Sequence, residues 1–377
     1  MVRFVHTADW QLGMTRHFLD ADAQARFSAA RIEAIRSIGR LAVERDCSFV
    51  VVCGDVFETN HVERQVIVRA LDAMAASPDV KFYLLPGNHD PLTASSVFTS
   101  QTFVSHCPEN VEVLDAEGAT EVDSGVELIA APWTSKAPLE DLVSRARSNT
   151  AAGDGVRIVV AHGAVDVLNP DANDPSSIQL ESLESAIADG QIHYVALGDR
   201  HSTTSVGKSG RVWYSGAPEP TAYPEIDPGN VLVVEIENSA VEVTAVPVGE
   251  WVFRSLEFDL RSAEDINRLE SELSDLESKS LLIVRLTLVG QLSLGDKIRL
   301  DSILEHLSDL FASLNTWERH SDLVILPDDD DFTSLGLSGF AQDALAELVE
   351  LASDDEAEAS NAQEALGLLY RLAGGSA

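Results

Sequence analysis

The sequence predicts an α/β fold with a mixed sheet system, then a smaller second α/β unit and a helical C-terminal tail. Three observations carry that prediction. Up to about residue 250, short apolar runs alternate with stretches whose apolar residues recur at helical spacing, the pattern of sheets flanked by helices. Around Trp251 the alternation restarts on a smaller scale. From residue 327 the chain turns acidic and carries two short amphipathic segments. The boundaries read as 1–250, 251–326 and 327–377.

Residues 2–5 form the first strand, and 21–44 a helix with Ile32, Ile35, Ile38 and Leu41 on one face. Residues 49–53 (Phe-Val-Val-Val-Cys) are a continuous apolar run closed by Gly54-Asp55, which suits a strand buried on both faces. A helix over 62–76 leads to a strand over 80–85 that enters Pro86-Gly87-Asn88-His89-Asp90. Further strands fall at 126–130, 156–161 and 194–197, and residues 212–248 read as strands joined by turns. In the second unit, 263–276 is an amphipathic helix, 281–289 a strand and 294–314 a helix. Asp328 to Asp331 and two glycines, Gly336 and Gly339, read as a linker, with helices following at about 340–351 and 362–372.

Charge limits the function. With 26 Lys+Arg against 62 Asp+Glu, the net charge is −36. That excludes a self-sufficient basic nucleic-acid binder and a polybasic membrane-surface protein, both of which draw affinity from Lys and Arg. Thirteen of the acids lie between His320 and Tyr370, where there is no Lys or Arg. Such a stretch is ordinarily a solvated tail, but its apolar faces also suit docking on a partner. Cys47, Cys53 and Cys107 give an odd count without a paired metal motif, so a reducing compartment is expected. The first residues become polar too early for a secretory leader, and no apolar run approaches the roughly 20 residues of a membrane span. A soluble cytoplasmic protein is expected.

Five segments share one layout, an apolar run with Asp, Asn or His just past its end. They are Thr7-Ala8-Asp9-Trp10-Gln11, Gly54-Asp55, Gly87-Asn88-His89-Asp90, Ala161-His162-Gly163 and Gly198-Asp199-Arg200-His201. Strand ends of α/β sheets converge on one crevice, and carboxylate, amide and imidazole groups gathered there suit Mn²⁺, Fe²⁺ or Zn²⁺. No P-loop and no Gly-x-Ser-x-Gly elbow is present, so neither intrinsic ATP hydrolysis nor acyl transfer is expected.

In that order the segments resemble the pattern D-x-H, GD, GNHD/E, H, GHxH of the calcineurin-like metallophosphoesterases. Within that family they are most similar to the SbcD-type nuclease subunit of DNA double-strand-break repair. His6-Thr7-Ala8-Asp9-Trp10-Gln11-Leu12-Gly13 resembles its HTSDWHLG start, Gly54-Asp55-Val56-Phe57 its GD-[IVL]-F, and Tyr214-Ser215-Gly216-Ala217-Pro218-Glu219 its YSGSPE turn. The resemblance implies a β-sandwich flanked by helices over 1–250. It also implies a small DNA-contacting cap, a tail that docks on an SbcC-like coiled-coil ATPase, and a homodimer.

For the site, the resemblance implies two divalent cations. Asp55 would bridge them; Asp9, Gln11 and His201 would hold one, and Asn88, His162 and Asp199 the other. His89 would be the general acid, or the group stabilising charge at the phosphate, with Asp90 orienting it. From the residues themselves, Arg200 and Lys208 beside Asp199 read either as contacts to the substrate phosphate or as partners in a local salt bridge. The implied reaction is two-metal hydrolysis of a DNA phosphodiester by hydroxide attack on phosphorus. Gln11 and Asp199 replace histidines of the family pattern. The exchange makes the site richer in oxygen, favouring Mn²⁺ or Mg²⁺ over Zn²⁺, with Fe²⁺ also compatible. Two alternatives stand beside the DNA nuclease: a phosphoesterase acting on a nucleotide or cyclic nucleotide, which the acidity favours, and a catalytically weakened repair scaffold, which Gln11 and Asp199 favour.

Overall fold

The structure is a computed structural model, and it describes residues 1–151, 153, 155–171, 173–326, 339–352, 362 and 365. The chain forms two units, Met1–Trp251 and Val252–Ala377. Among the described residues no helix is long and apolar enough to cross a membrane.

The first unit is built on two six-stranded sheets. In space the first runs β12 (Ala240–Pro247), β11 (Asn230–Glu237), β1 (Val2–Thr7), β2 (Phe49–Cys53), β3 (Lys81–Leu85), β4 (Val111–Val113). The second runs β5 (Gly118–Asp123), β6 (Val126–Ala131), β7 (Val156–His162), β8 (Tyr194–Gly198), β10 (Val212–Tyr214), β9 (Thr204–Val206). β1 to β4 are mutually parallel, as are β6, β7, β8 and β10, whereas β11, β12, β5 and β9 pair antiparallel. Parallel strands need both faces covered. One face of each sheet meets the other sheet, through Phe4, Phe49, Tyr83, Leu128, Ile158, Val160 and Tyr194. Phe4 stacks on Phe49 at 5.2 Å and meets Tyr194 of the facing sheet edge-on at 5.7 Å. Each buried side chain of this size contributes roughly 1.5–3 kcal/mol of transfer free energy.

Helices cover the outer faces. The first sheet packs on α1 (Ala21–Glu44), α2 (Arg64–Ala75) and α3 (Gln101–His106), and the second on α4 (Leu142–Ser148) and α5 (Leu180–Ala188). Asp20 caps α1 by accepting the Ala23 N–H at 2.7 Å. Arg31 of α1 is buried, which its surroundings of aliphatic helical spacing do not announce. Its guanidinium donates to the carbonyls of Trp10 (3.1 Å) and Pro220 (2.9 Å) and lies over the Phe27 ring, so it ties the loop after β1 to the loop around residue 220.

Glu219 ends the Ser-Gly-Ala-Pro-Glu turn as a buried carboxylate. It accepts the N–H groups of Glu250 (3.0 Å) and Trp251 (3.1 Å), closing the first unit at its last residues. Burial pushes its pKa up to about 7. A carboxyl whose folded pKa is raised gives stability that is present below its unfolded pKa and is lost as pH climbs through about 7. The loss of melting temperature in Glu219→Ala is therefore expected to be larger at pH 5 than at pH 8. Thermal melts at both pH values test this, and an equal deficit would contradict it.

The second unit centres on β14 (Leu282–Ser293), which is parallel to β13 (Val252–Leu260) along one edge and to β15 (Ser313–Thr316) then β16 (Asp322–Leu326) along the other. Ile266, Leu269 and Leu273 of α6 (Ala263–Ser274), with Leu300 and Leu307 of α7 (Leu294–Ser308), bury against Val284, Leu286 and Leu288. The helix expected over 294–314 ends at Ser308, and its last residues form β15 instead. Leu307, Phe311 and Leu314 fall at helical spacing, but Phe311 is reached through a turn and Ser313 pairs with Ile283. Of the tail helices, α8 (Phe340–Ala352) is described, while the linker at 327–338 and nearly all of the second helix lie outside the described residues.

Candidate metal centre

All five chemistry-bearing segments follow a strand directly. Asp9 comes after β1, Asp55 after β2 and Asn88 after β3; His162 ends β7, and Asp199 follows β8. The loops after β1 and β2 are zipped together by Asp9 N–H to Gly54 O (3.1 Å), Gln11 N–H to Asp55 O (2.9 Å) and Leu12 N–H to Val56 O (3.0 Å). Asp9, Gln11, Asp55 and Asp199 all hold left-handed backbone, with φ of 54°, 45°, 53° and 98°. Such conformations cost of order 1 kcal/mol or more for a residue with a side chain and persist where surrounding structure enforces them. At Gly54, where φ is +90°, an added Cβ would sit 2.2 Å from His162 Nδ1, so glycine is what lets β2 end against that ring.

The ligand atoms of Asp9, Asp55 and His162 all lie within 4.8 Å of one another, and all three residues are buried. Ligands about 2.0–2.2 Å from an ion are at most about 4.4 Å apart, so a slight contraction makes this a coordination set. His162 Nδ1 faces the Cys53 carbonyl at 2.9 Å. A carbonyl only accepts, so Nδ1 carries the proton and Nε2 faces the cluster. There Nε2 lies 2.8 Å from Asn88 Oδ1, 3.5 Å from Asp55 Oδ1 and 3.8 Å from Asp199 Oδ1.

Electrostatics call for positive charge at the same place. Burial pushes Asp9 up to about 6. Burial pulls His162 down, but the carboxylates of Asp55, Asp9 and Asp199 outweigh it and hold the ring at about 9. A bound cation would offset the same negative charge in place of a ring proton. Three carboxylates, an amide oxygen and an imidazole nitrogen at the mouths of five strands fit a divalent cation by chemistry and by spacing.

His201 sits on the other side of Asp9, its Nε2 4.0 Å from Asp9 Oδ1 and 3.2 Å from the Gln11 amide nitrogen. Its Nδ1 meets Thr221 Oγ1 at 2.6 Å and Glu225 Oε1 at 3.2 Å. Burial lowers its pKa, and the Glu225 and Asp9 carboxylates outweigh that and raise it. The Asp199 N–H donates to both Asp9 oxygens at 3.1 Å.

His89 is 40 % exposed at its side chain. Its Nδ1 donates to the Glu58 carbonyl at 2.9 Å, which leaves Nε2 facing outward, 4.0 Å from Asp55 Oδ2. The expectation that Asp90 orients this ring is not met. Asp90 is buried, its Oδ1 accepting the Gly87 N–H (2.7 Å) and its Oδ2 the Phe57 N–H (2.9 Å). It clamps the loops after β2 and β3 together, and burial, with Asp55 adding, pushes it up to about 7. Arg200 donates to Thr204 Oγ1 at 3.1 Å and stands beside the cluster without touching it. Trp10 packs beneath, its indole donating to Thr7 Oγ1.

Sequence reasoning missed four supports. Thr221 and Glu225 hold His201, and Glu225 looks like any other acid in a polar loop. Trp133 donates its indole N–H to the His162 carbonyl (2.7 Å) while its backbone pairs with Pro86 and Leu92, joining the loops after β3 and β7. Glu58 Oε2 is buried with no hydrogen-bond partner among the described residues, and burial raises its pKa.

Residues 2–229, which hold every one of these groups, match the calcineurin-like phosphoesterase family. The chain belongs to that family. Calcineurin-like phosphoesterases are metal-dependent hydrolases, in keeping with the cluster of Asp9, Asp55 and His162. Over 94 residues this phosphoesterase is 28% identical to the D component of the SbcCD nuclease of Rhodobacter capsulatus, an alignment covering 24% of this chain and 22% of that protein. The chain thus aligns with about a fifth of the length of that curated relative. It is also similar to two solved structures. One is TT1561 of Thermus thermophilus (TM-score 0.39, 9% identity, 65% of this chain and 98% of that one). The other is a dimetal phosphatase from Danio rerio (TM-score 0.41, 12% identity, 66% and 96%).

Proposed function

We propose that this calcineurin-like phosphoesterase is a divalent-cation-dependent phosphodiesterase acting on DNA, an SbcD-like exo/endonuclease of double-strand-break repair. The observation that carries the phosphodiesterase reading is the convergence of Asp9, Asp55 and His162, flanked by Asn88, Asp199 and His201. The DNA reading rests on the short similarity to a component of the SbcCD nuclease and on the motif resemblance of residues 6–13 and 214–219.

In this reading Asp55 would serve both of two cations, and Asp9, Gln11 and His201 would hold one while Asn88, His162 and Asp199 would hold the other. When bound, the cations, Mn²⁺ in preference to Mg²⁺ or Fe²⁺, acidify the attacking water and neutralise charge on the phosphate. For His89 to act as general acid its ring would enter as imidazolium, Nδ1–H held by the Glu58 carbonyl while Nε2–H passes to the leaving oxygen. Glu225 and Thr221 keep the His201 ring turned inward, as the Cys53 carbonyl does for His162. Arg200 is released from Thr204 to meet a phosphate oxygen. The protein acts in the cytoplasm as a homodimer, its tail docking on an SbcC-like coiled-coil ATPase.

The net charge of −36 favours a second reading, a small phosphodiester as substrate. With Mn²⁺, cleavage of linear duplex DNA, alone or with the partner ATPase, is the expected result. Turnover of a chromogenic phosphodiester but never of DNA would replace the first reading with the second. No turnover of either leaves the scaffold reading.

A further inference from the structure

The metal centre lies where the strands end, and the start of β7 carries a separate cleft. From Arg157, the second residue of β7, to His162 at its end is five residues, or roughly 17 Å of extended chain. Beside Arg157, α4 and α5 flank a cleft of about 380 Å³, within the range of small-molecule sites. Ile129 of β6 and Ile192 give it an apolar floor, and Arg147, Ser148 and Ser182 stand on the two helices. Among the described residues no Asp or Glu lines it, in a chain with 62 Asp+Glu against 26 Lys+Arg.

The two arginines of the cleft differ in what they have left to offer. Arg157 donates from Nε to Glu127 (3.0 Å), from Nη1 to the Gln191 carbonyl (3.4 Å) and from Nη2 to the Ala151 carbonyl (2.7 Å), so its charge and its donors are taken. Arg147 uses only Nη1, which donates to the carbonyl (3.3 Å) and the hydroxyl (3.0 Å) of Ser182. Among the described residues its Nε and Nη2 meet no acceptor and no carboxylate pairs with it. Burial pulls its pKa down, with Asp141 opposing. A half-buried guanidinium with two adjacent N–H groups unspent suits an anion that presents two oxygens. The nearby hydroxyls suit the opposite kind of group. Ser148 Oγ donates to the Ser144 carbonyl and Thr150 Oγ1 to the Ala146 carbonyl, both at 2.8 Å. Their protons are committed, so they offer lone pairs to a ligand that donates.

We propose that this cleft is a second ligand site, for a hydroxylated phosphate monoester, its phosphate held by Arg147 and Ser182 and its sugar hydroxyls donating to Ser148 and Thr150. Free sugar phosphates and nucleoside monophosphates share this chemistry. The site stands apart from the metal centre and does not depend on the phosphodiesterase reading.

The test is calorimetric titration of the full-length protein, in chelator to keep the metal centre empty, with ribose 5-phosphate, adenosine monophosphate, inorganic phosphate and ribose. About one equivalent of ribose 5-phosphate is expected to bind, at least about ten-fold more tightly than inorganic phosphate or ribose. Arg147→Met should weaken that binding by about ten-fold or more, the scale of a charge-assisted hydrogen bond. Arg147→Lys, which keeps the charge and loses the fork, should weaken it less. Asp55→Ala, altered at the metal centre, should bind ribose 5-phosphate as wild type does. Adenosine monophosphate binding more tightly than ribose 5-phosphate identifies a nucleotide as the occupant, and binding more weakly identifies a free sugar phosphate. No binding of either ester at roughly 10 mM, inorganic phosphate bound as tightly, binding that Arg147→Met leaves unchanged, or binding that Asp55→Ala abolishes would overturn the proposal. Circular dichroism of each variant shows that its fold is kept.

Discussion

Asp55→Ala is expected to lower metal-dependent phosphodiester hydrolysis by about 10³-fold or more, with the fold retained. Asp55 is buried, and its carboxylate is the point at which the separate loops meet. Oδ1 accepts the His89 N–H at 3.0 Å and lies 3.5 Å from His162 Nε2, while Oδ2 lies 4.0 Å from His89 Nε2. Truncation removes a charge shared by both proposed cation positions and frees the backbone of His89, the proposed general acid. A factor of 10³ corresponds to about 4 kcal/mol, within what loss of one preorganised charge in a dry site supplies. Steady-state kinetics on a chromogenic phosphodiester with Mn²⁺, beside circular dichroism for the fold, decide the matter. A variant that keeps a tenth or more of wild-type activity would remove Asp55 from the centre of the mechanism.

The largest expected stability effect lies next to the same place. At Gly198, a Cβ would stand 1.9 Å from the Cys53 carbonyl oxygen and 2.8 Å from both Ala8 Cβ and His162 Nδ1. None of these neighbours can yield cheaply: Cys53 is backbone at the end of β2, Ala8 follows β1, and His162 ends β7. Overpacking typically costs about 1–3 kcal/mol, and Gly198→Ala is expected at or above the top of that range. For a unit of this size, 3 kcal/mol lowers the melting temperature by roughly 6–12 °C. Calorimetry reads this directly. A shift under about 2 °C would mean that the three strand ends slide apart more freely than their packing implies.

How much of this was legible beforehand depended on how local the cause was. The strand carrying Asp55 could be read because five consecutive apolar residues can be buried on both faces only in the middle of a layered sheet, and β2 is buried throughout. The candidate ligands were legible because each sits at the end of such a run or within four residues past it. What supports them was not. Glu225 reaches His201 across 24 residues, and Trp133 reaches His162 across 29. In each case only the folded crevice distinguishes the partner from similar residues elsewhere. Asp90 shows the opposite failure. Its neighbour His89 suggested a side-chain pair, but at the turn after β3 the backbone N–H of Gly87 and of Phe57 claim its carboxylate first. β15 was misread because apolar residues at helical spacing continued past the end of α7, and a four-residue strand has too few positions to impose its own period.

The placement of β1 in the first sheet has a consequence for how the chain is made. β1 holds residues 2–7, and its antiparallel neighbour β11 holds residues 230–237. On a ribosome β1 therefore waits for more than two hundred further residues before its outer edge finds a partner. Through that interval an apolar strand with open N–H and C=O groups is exposed to any other nascent chain. The candidate ligand set, running from Asp9 to His201, is likewise incomplete until almost the same moment. Ion capture and edge closure thus become late and nearly simultaneous events of synthesis, and the cation would secure a sandwich whose last strand has only just arrived.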